Sequence, residues 1–121
     1  MTDAPLLMVV DDDPSVLLLI DVLAEKMGFR VKAVSNGLQA LEHLRDGLQP
    51  AVILLDIMME RIDGLTFMNH LRDMTKVETT PVIAMSTAAV LERYGDKLKV
   101  AGTLLKPINK STLTEALARY R

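Results

Sequence analysis

Five short apolar runs punctuate the chain: "LLMVV" (6–10), "RVKAV" (30–34), "AVILL" (51–55), "PVIAM" (81–85) and "TLLK" (103–106). Each is followed by a stretch with helical periodicity. Strands alternating with helices in this way build βαβ units on a parallel sheet. The 51–55 run is apolar throughout, as a strand covered on both faces must be, whereas the 30–34 run alternates. The pattern therefore predicts an α/β fold, a doubly wound five-stranded parallel sheet with five helices. The first helix is expected over Pro14–Met27, with Val16, Ile20, Leu23 and Met27 inward, Asp13 as N-cap and Gly28 as the stop. The second begins at "SNG" with Asn36 as cap and turns Leu38, Leu41, Leu44 and Leu48 inward. "GLTFMNHLRDM" supplies the third, and "AAVLERYGDKLK" a fourth weakened by Gly95. Asn109 caps the fifth, "KSTLTEALARY".

At 121 residues, half of them hydrophobic, the chain suits one domain over 1–121. The net charge of -2 is spread along the sequence, so neither a nucleic-acid face nor a polybasic membrane patch is expected. No apolar run approaches the roughly 18 residues of a membrane span, and "MTDAP" lacks a signal-peptide pattern, which makes a cytoplasmic location the expectation. Disulfides and Cys-type zinc sites are excluded because the chain has no cysteine. His43 and His70 lie on separate helical patterns and read as solvated surface residues rather than a metal pair.

Ligands of doubly wound sheets gather outside the carboxyl ends of the strands. At those ends stand Asp11 and Asp12, then Asp56, then Ser86 and Thr87, then Lys106 followed by Pro107. Taken singly, each has a plain structural reading: charges favouring a helix N-terminus, a loop cap, a helix cap, a solvated lysine. Taken together they place carboxylates, a hydroxyl and an ammonium on one edge. Clustered carboxylates repel one another and suit Mg²⁺, which accepts one or two carboxylates with waters and a phosphate oxygen. The lysine and serine add a fixed positive charge and a donor for a phosphoryl group. The set is built for phosphoryl transfer to a carboxylate.

The segments "VVDDDPSV", "SNGLQALE", "ILLDIMMERIDGL", "PVIAMSTAA" and "LLKPI", in this order and spacing, resemble the response-regulator receiver domains of two-component signalling across essentially the whole chain. The resemblance implies strand order 2-1-3-4-5 and Asp56 as phosphoacceptor. It implies Mg²⁺ held by Asp11, Asp12, Asp56 and the backbone carbonyl of Met58, with Ser86 and Lys106 as the catalytic hydroxyl and ammonium. A Lys106–Pro107 cis peptide is often seen in this family. The implied partners are a sensor histidine kinase or a histidine phosphotransfer protein, with output by protein contact; a homodimer is left open.

The sequence also departs from the family pattern. Glu60 stands where proline is usual, and Thr87 is bulkier than the common Ala or Gly. Thr103 replaces the aromatic switch residue, so coupling is expected to pass through the loop after Ser86 and the fourth helix instead. Leu17 and Leu18 flank the core stripe of the first helix, where relatives commonly carry charges, and either join the core packing or offer an apolar patch to a partner helix. Two other readings compete. One is a non-phosphorylated pseudo-receiver; the other is a haloacid-dehalogenase-type phosphatase with Asp11 as nucleophile and Asp13 as acid.

Overall fold

A computed structural model describes residues 4–59, 64–73, 80–98 and 100–121. Strands β1 (Leu6–Val10), β2 (Arg30–Val34), β3 (Val52–Asp56), β4 (Val82–Ser86) and β5 (Gly102–Leu105) alternate with helices α1 (Pro14–Lys26), α2 (Gly37–Arg45), α3 (Gly64–Arg72), α4 (Ala88–Leu98) and α5 (Lys110–Leu117). All pairings are parallel, in the order β2-β1-β3-β4-β5, as the family resemblance implies. Every residue of β1, β3 and β4 is buried, which explains why these strands are apolar except at the closing Asp56 and Ser86.

The pleat sorts these side chains into two cores. Met8, Val10, Ile53, Leu55 and Ala84 face one layer, where Leu41 and Leu44 of α2 meet Phe67 and Leu71 of α3 and where Val90 and Leu91 of α4 pack. Leu7, Val9, Leu54, Ile83 and Met85 face the other, against Ile20 and Ala24 of α1 and Leu113 and Leu117 of α5. A fully buried leucine contributes about 2 kcal/mol, so these two layers rather than the single-turn signals carry the stability.

Local chemistry sets the helix starts. Asp13 accepts a hydrogen bond from the Ser15 amide at 2.9 Å with Pro14 at the first helical position, Asn36 accepts from the Gln39 amide at 2.9 Å, and Asn109 from the Thr112 amide at 2.9 Å. Gly28, at φ +100°, stops α1 in the left-handed region that other residues avoid.

Two expectations need correction, and the alternatives for Leu17 and Leu18 are decided. Leu38 is not inward but 38% exposed; Gly37, Ala40, Leu41 and Leu44 form the buried face, because the helix packs on one face of the sheet and turns its small residues toward it. Leu17 is packed against the α1–α5 core, while Leu18, Leu19 and Val22 are the exposed apolar residues of α1. β3 and β4 run one residue further than their apolar stretches, so Asp56 and Ser86 are the last strand residues rather than the first loop residues. The fourth helix continues through Gly95. Glu60, whose departure from the family pattern bears on the loop after β3, lies outside the described residues.

Candidate functional site

β1 and β3 are neighbours whose connections leave to opposite sides, so their carboxyl ends open a crevice. Asp11 follows β1 into it and is fully buried; Asp56 ends β3 beside it, almost fully buried. Asp12 is exposed at the rim. One carboxylate oxygen from each of the three lies within 4.8 Å of the others. Ser86, buried, ends β4 next door, and its carbonyl accepts the Lys106 amide at 2.9 Å, which joins the ends of β4 and β5. The Lys106–Pro107 peptide is cis.

Lys106 reaches back over the crevice. Its Nζ lies 2.7 Å from Asp11 Oδ2 and 3.5 Å from Asp56 Oδ2, so its nearer partner is Asp11. Sequence reasoning placed the lysine against a phosphoryl group and missed this resting pair, which depends on two strand ends three positions apart in the sheet. The other oxygens are held by backbone: Asp11 Oδ1 accepts from the Asp13 amide at 2.9 Å, and Asp56 Oδ1 from the Met58 amide at 3.1 Å. The Met58 side chain points outward, 56% exposed. Thr87 and Thr103 are both exposed, and neither His43 nor His70 joins the carboxylate group among the described residues.

Burial, and then the charge of Asp11, push the Asp56 carboxyl up to about 6, against the opposing pull of Lys106. Burial works to lower the Lys106 ammonium, but its hydrogen bond to Asp11 and the charges of Asp11 and Asp56 outweigh it and raise the group above the usual lysine value. Asp13 is held below the ordinary carboxylate range by the Ser15 hydroxyl and amide.

This arrangement fits a hard divalent cation. Three hard oxygens converge, and among the described residues the buried Asp11 Oδ2 meets only the Lys106 ammonium. A carboxyl kept partly protonated by like charge also gains from a cation that removes the repulsion.

A pH dependence follows. With divalent cations chelated, folded Asp56 titrates near 6 and unfolded Asp56 near its ordinary 3.8, so the folded state holds the extra proton between these values. Stability from this group is full below pH about 4 and is lost as pH rises through about 6. Asp56→Asn removes that loss. At pH 7 in chelator the variant is expected to exceed wild type by about 1–2 kcal/mol after solvent screening of a partly open pocket. Urea denaturation at pH 5 and pH 7 checks it; wild type and variant falling in parallel would show that Asp56 ionises without strain.

A family model described as response regulator receiver domain matches residues 7–118. The chain is a response-regulator receiver domain. Among curated proteins, the receiver is 33% identical over 121 residues to the transcriptional regulatory protein ZraR of Klebsiella oxytoca, covering 95% of this chain and 27% of that protein. It is 36% identical over 117 residues to the signal transduction histidine-protein kinase BarA of Escherichia coli, covering 94% and 12%. It is 31% identical over 119 residues to the response regulator Rre1 of Synechocystis, covering 93% and 49%. The receiver thus spans half or less of the length of these relatives. Its fold matches that of the chemotaxis response regulator CheY4 of Vibrio cholerae with a TM-score of 0.88 at 25% identity, over 98% of this chain and all of the other. It also matches the receiver domain of a sensor histidine kinase from Pseudomonas aeruginosa, solved with a magnesium ion coordinated in its active-site cleft, with a TM-score of 0.85 at 24% identity, over 98% of both chains.

Proposed function

We propose that this receiver, acting as one unit over 1–121, accepts a phosphoryl group on Asp56 and signals by phosphorylation-dependent protein contact. The donor is the phosphohistidine of a sensor histidine kinase or a histidine phosphotransfer protein. The observation that carries this reading is the Asp56 carboxylate at the strand end, with the Lys106 ammonium 3.5 Å away and the carboxylates of Asp11 and Asp12 beside it. An Asp56 oxygen attacks phosphorus; the new O–P bond forms as the N–P bond to the donor imidazole breaks, and the imidazole leaves with its electron pair. Lys106 leaves Asp11 to neutralise an equatorial phosphoryl oxygen, and the Ser86 hydroxyl donates to another. Asp11, Asp12, Asp56 and the Met58 carbonyl would hold Mg²⁺, as the cleft of the P. aeruginosa receiver holds magnesium. Bound there, the cation supplies charge neutralisation at the transferring group. The receiver's chemistry is its own phosphotransfer and dephosphorylation rather than turnover of a separate substrate.

A phosphatase of the haloacid-dehalogenase type would need Asp13 as a proton donor. Asp13 instead caps α1 as a carboxylate, held in its charged form by Ser15. A pseudo-receiver would have no use for a complete acidic pocket with its lysine in place. No described helix is long and apolar enough to cross a membrane, which is compatible with a cytoplasmic setting.

The donor's docking site is the stripe of Leu18, Leu19 and Val22 on α1, at i, i+1 and i+4, beginning in the turns next to the pocket. Phosphate uptake from two donors tests the whole reading. A small acyl phosphate should label wild type in Mg²⁺ and not in chelator, and Leu18→Lys with Leu19→Glu should slow uptake from a protein phosphohistidine donor about tenfold while sparing the small donor. Labelling that ignores Mg²⁺ overturns the phosphoacceptor site; equal losses with both donors overturn the docking stripe.

A further inference from the structure

We infer that Gly64 is a positioning residue for the phosphoacceptor loop, because the space its side chain would need is filled by the backbone of Ile57, which lies between Asp56 and Met58. The inference rests on the reading of Asp56 as phosphoacceptor and Met58 as a carbonyl ligand.

Gly64 is buried at the first position of α3, and its amide donates to the Ile57 carbonyl at 2.8 Å. A Cβ placed on Gly64 would sit 2.8 Å from Ile57 Cα and 3.3 Å from both Cβ and Cγ2 of the same residue. The first distance is inside van der Waals contact with a backbone atom, which has no rotamer by which to yield. Backbone conformation is not the reason for the glycine, since φ here lies outside the left-handed region; Gly28 and Gly47 are the positive-φ glycines, and nothing lies within 4 Å of a Cβ at either. Gly64 is thus required by proximity alone.

Ile57 cannot simply retreat. Its amide donates to the Met85 carbonyl at 3.2 Å on β4, and its side chain is buried in the core that holds Phe67, Met68 and Met59. A methyl at 64 must therefore displace the Ile57 main chain by several tenths of an ångström, carrying its two neighbours with it. One neighbour is Asp56, whose Oδ1 is fixed by the Met58 amide at 3.1 Å; the other is Met58 itself. The nucleophile and the carbonyl on the cation move together, and small misplacements of reacting groups are costly in rate. The start of α3 acts as a backstop that sets how far the Ile57 main chain can lie from the sheet.

Gly64→Ala is compared with Gly102→Ala, which adds the same methyl to β5 where the nearest atom, Ile83 Cγ1, is at 4.0 Å. Mg²⁺ affinity is read by calorimetric titration, phosphate uptake from a small acyl phosphate at saturating Mg²⁺, and backbone amide shifts by NMR. Gly64→Ala is expected to lose about tenfold in Mg²⁺ affinity and about tenfold in uptake rate, with shifts concentrated at Asp56 to Met58, whereas Gly102→Ala stays within twofold of wild type. A Gly64→Ala protein that does not fold, or that folds less stably with affinity and uptake within twofold of wild type, assigns Gly64 to packing alone and overturns the inference. If wild type itself takes up no phosphate, the phosphoacceptor reading fails, and the Mg²⁺ titration and amide shifts still decide the role of Gly64.

Discussion

Asp56→Asn is expected to abolish phosphate uptake, a fall on the order of 10³-fold or more, because an amide oxygen is no nucleophile and, among the described residues, no other carboxylate is as well placed to replace it. Asp11 is the nearest alternative, but its Oδ1 is bound to the Asp13 amide and its Oδ2 faces Lys106 at 2.7 Å. Asp12 stands exposed at the rim. The measurement is incorporation of phosphate from a small acyl phosphate in Mg²⁺, followed by intact mass and by lability to hydroxylamine, as an acyl phosphate requires. Incorporation at the wild-type rate would move the site to another carboxylate. The variant's expected gain in cation-free stability makes the result interpretable, since loss of labelling cannot then be laid to unfolding.

Lys106→Met separates two roles that one ammonium now performs. Without the lysine, three carboxylates face the cation with no competing positive charge, so Mg²⁺ affinity should rise several-fold. Uptake at saturating Mg²⁺ should nevertheless fall by about 10²–10³-fold, the cost of removing a charged donor aimed at developing negative charge. In chelator the variant should be less stable than wild type by about 1–3 kcal/mol, because the fully buried Asp11 loses the ammonium that faces its Oδ2. Added Mg²⁺ should restore that stability and leave the rate low. Calorimetric titration, urea denaturation and labelling read the three effects. A variant that labels normally would confine Lys106 to holding Asp11.

Much of this site was legible because strand ends are marked by chemistry. Asp13, Asn36 and Asn109 announce helix starts by side-chain geometry that needs nothing from the rest of the chain, and each forms the cap its type and position suggest. The co-location of Asp11, Asp12, Asp56, Ser86 and Lys106 follows from one rule about parallel sheets. Strand order came instead from family resemblance, since alternation alone does not rank the neighbours of β1. The exact last residues of β3 and β4 were missed by one because hydrophobic runs end before the ladder does when the final strand residue is polar, as Asp56 and Ser86 are. Leu38 misled, and Leu17 stayed undecided, for a different reason. An apolar residue at helical spacing fixes a stripe, but its rotation about the helix axis depends on which small residues let the sheet approach, here Gly37 and Ala40 on α2 and Ala24 on α1. The close approach of Gly64 to Ile57 has no sequence signal beyond the glycine itself.

The hydrogen bonds from the Asp13 amide to Asp11 and from the Ser15 amide to Asp13 tie the floor of the pocket to the first turn of α1. The helix and the acidic pocket thereby share a common datum. With a rise of about 1.5 Å per residue, Leu18 and Val22 stand about 7.5 and 13.5 Å along the axis from that cap. A partner helix seated on the stripe is therefore gauged against Asp56, and a donor histidine one helical turn out of register arrives about 5.4 Å from where it must react. If donors dock on this stripe as proposed, discrimination among donors of similar surface chemistry becomes a matter of length, set by a ruler whose zero mark is the Asp13 cap, one hydrogen bond from Asp11.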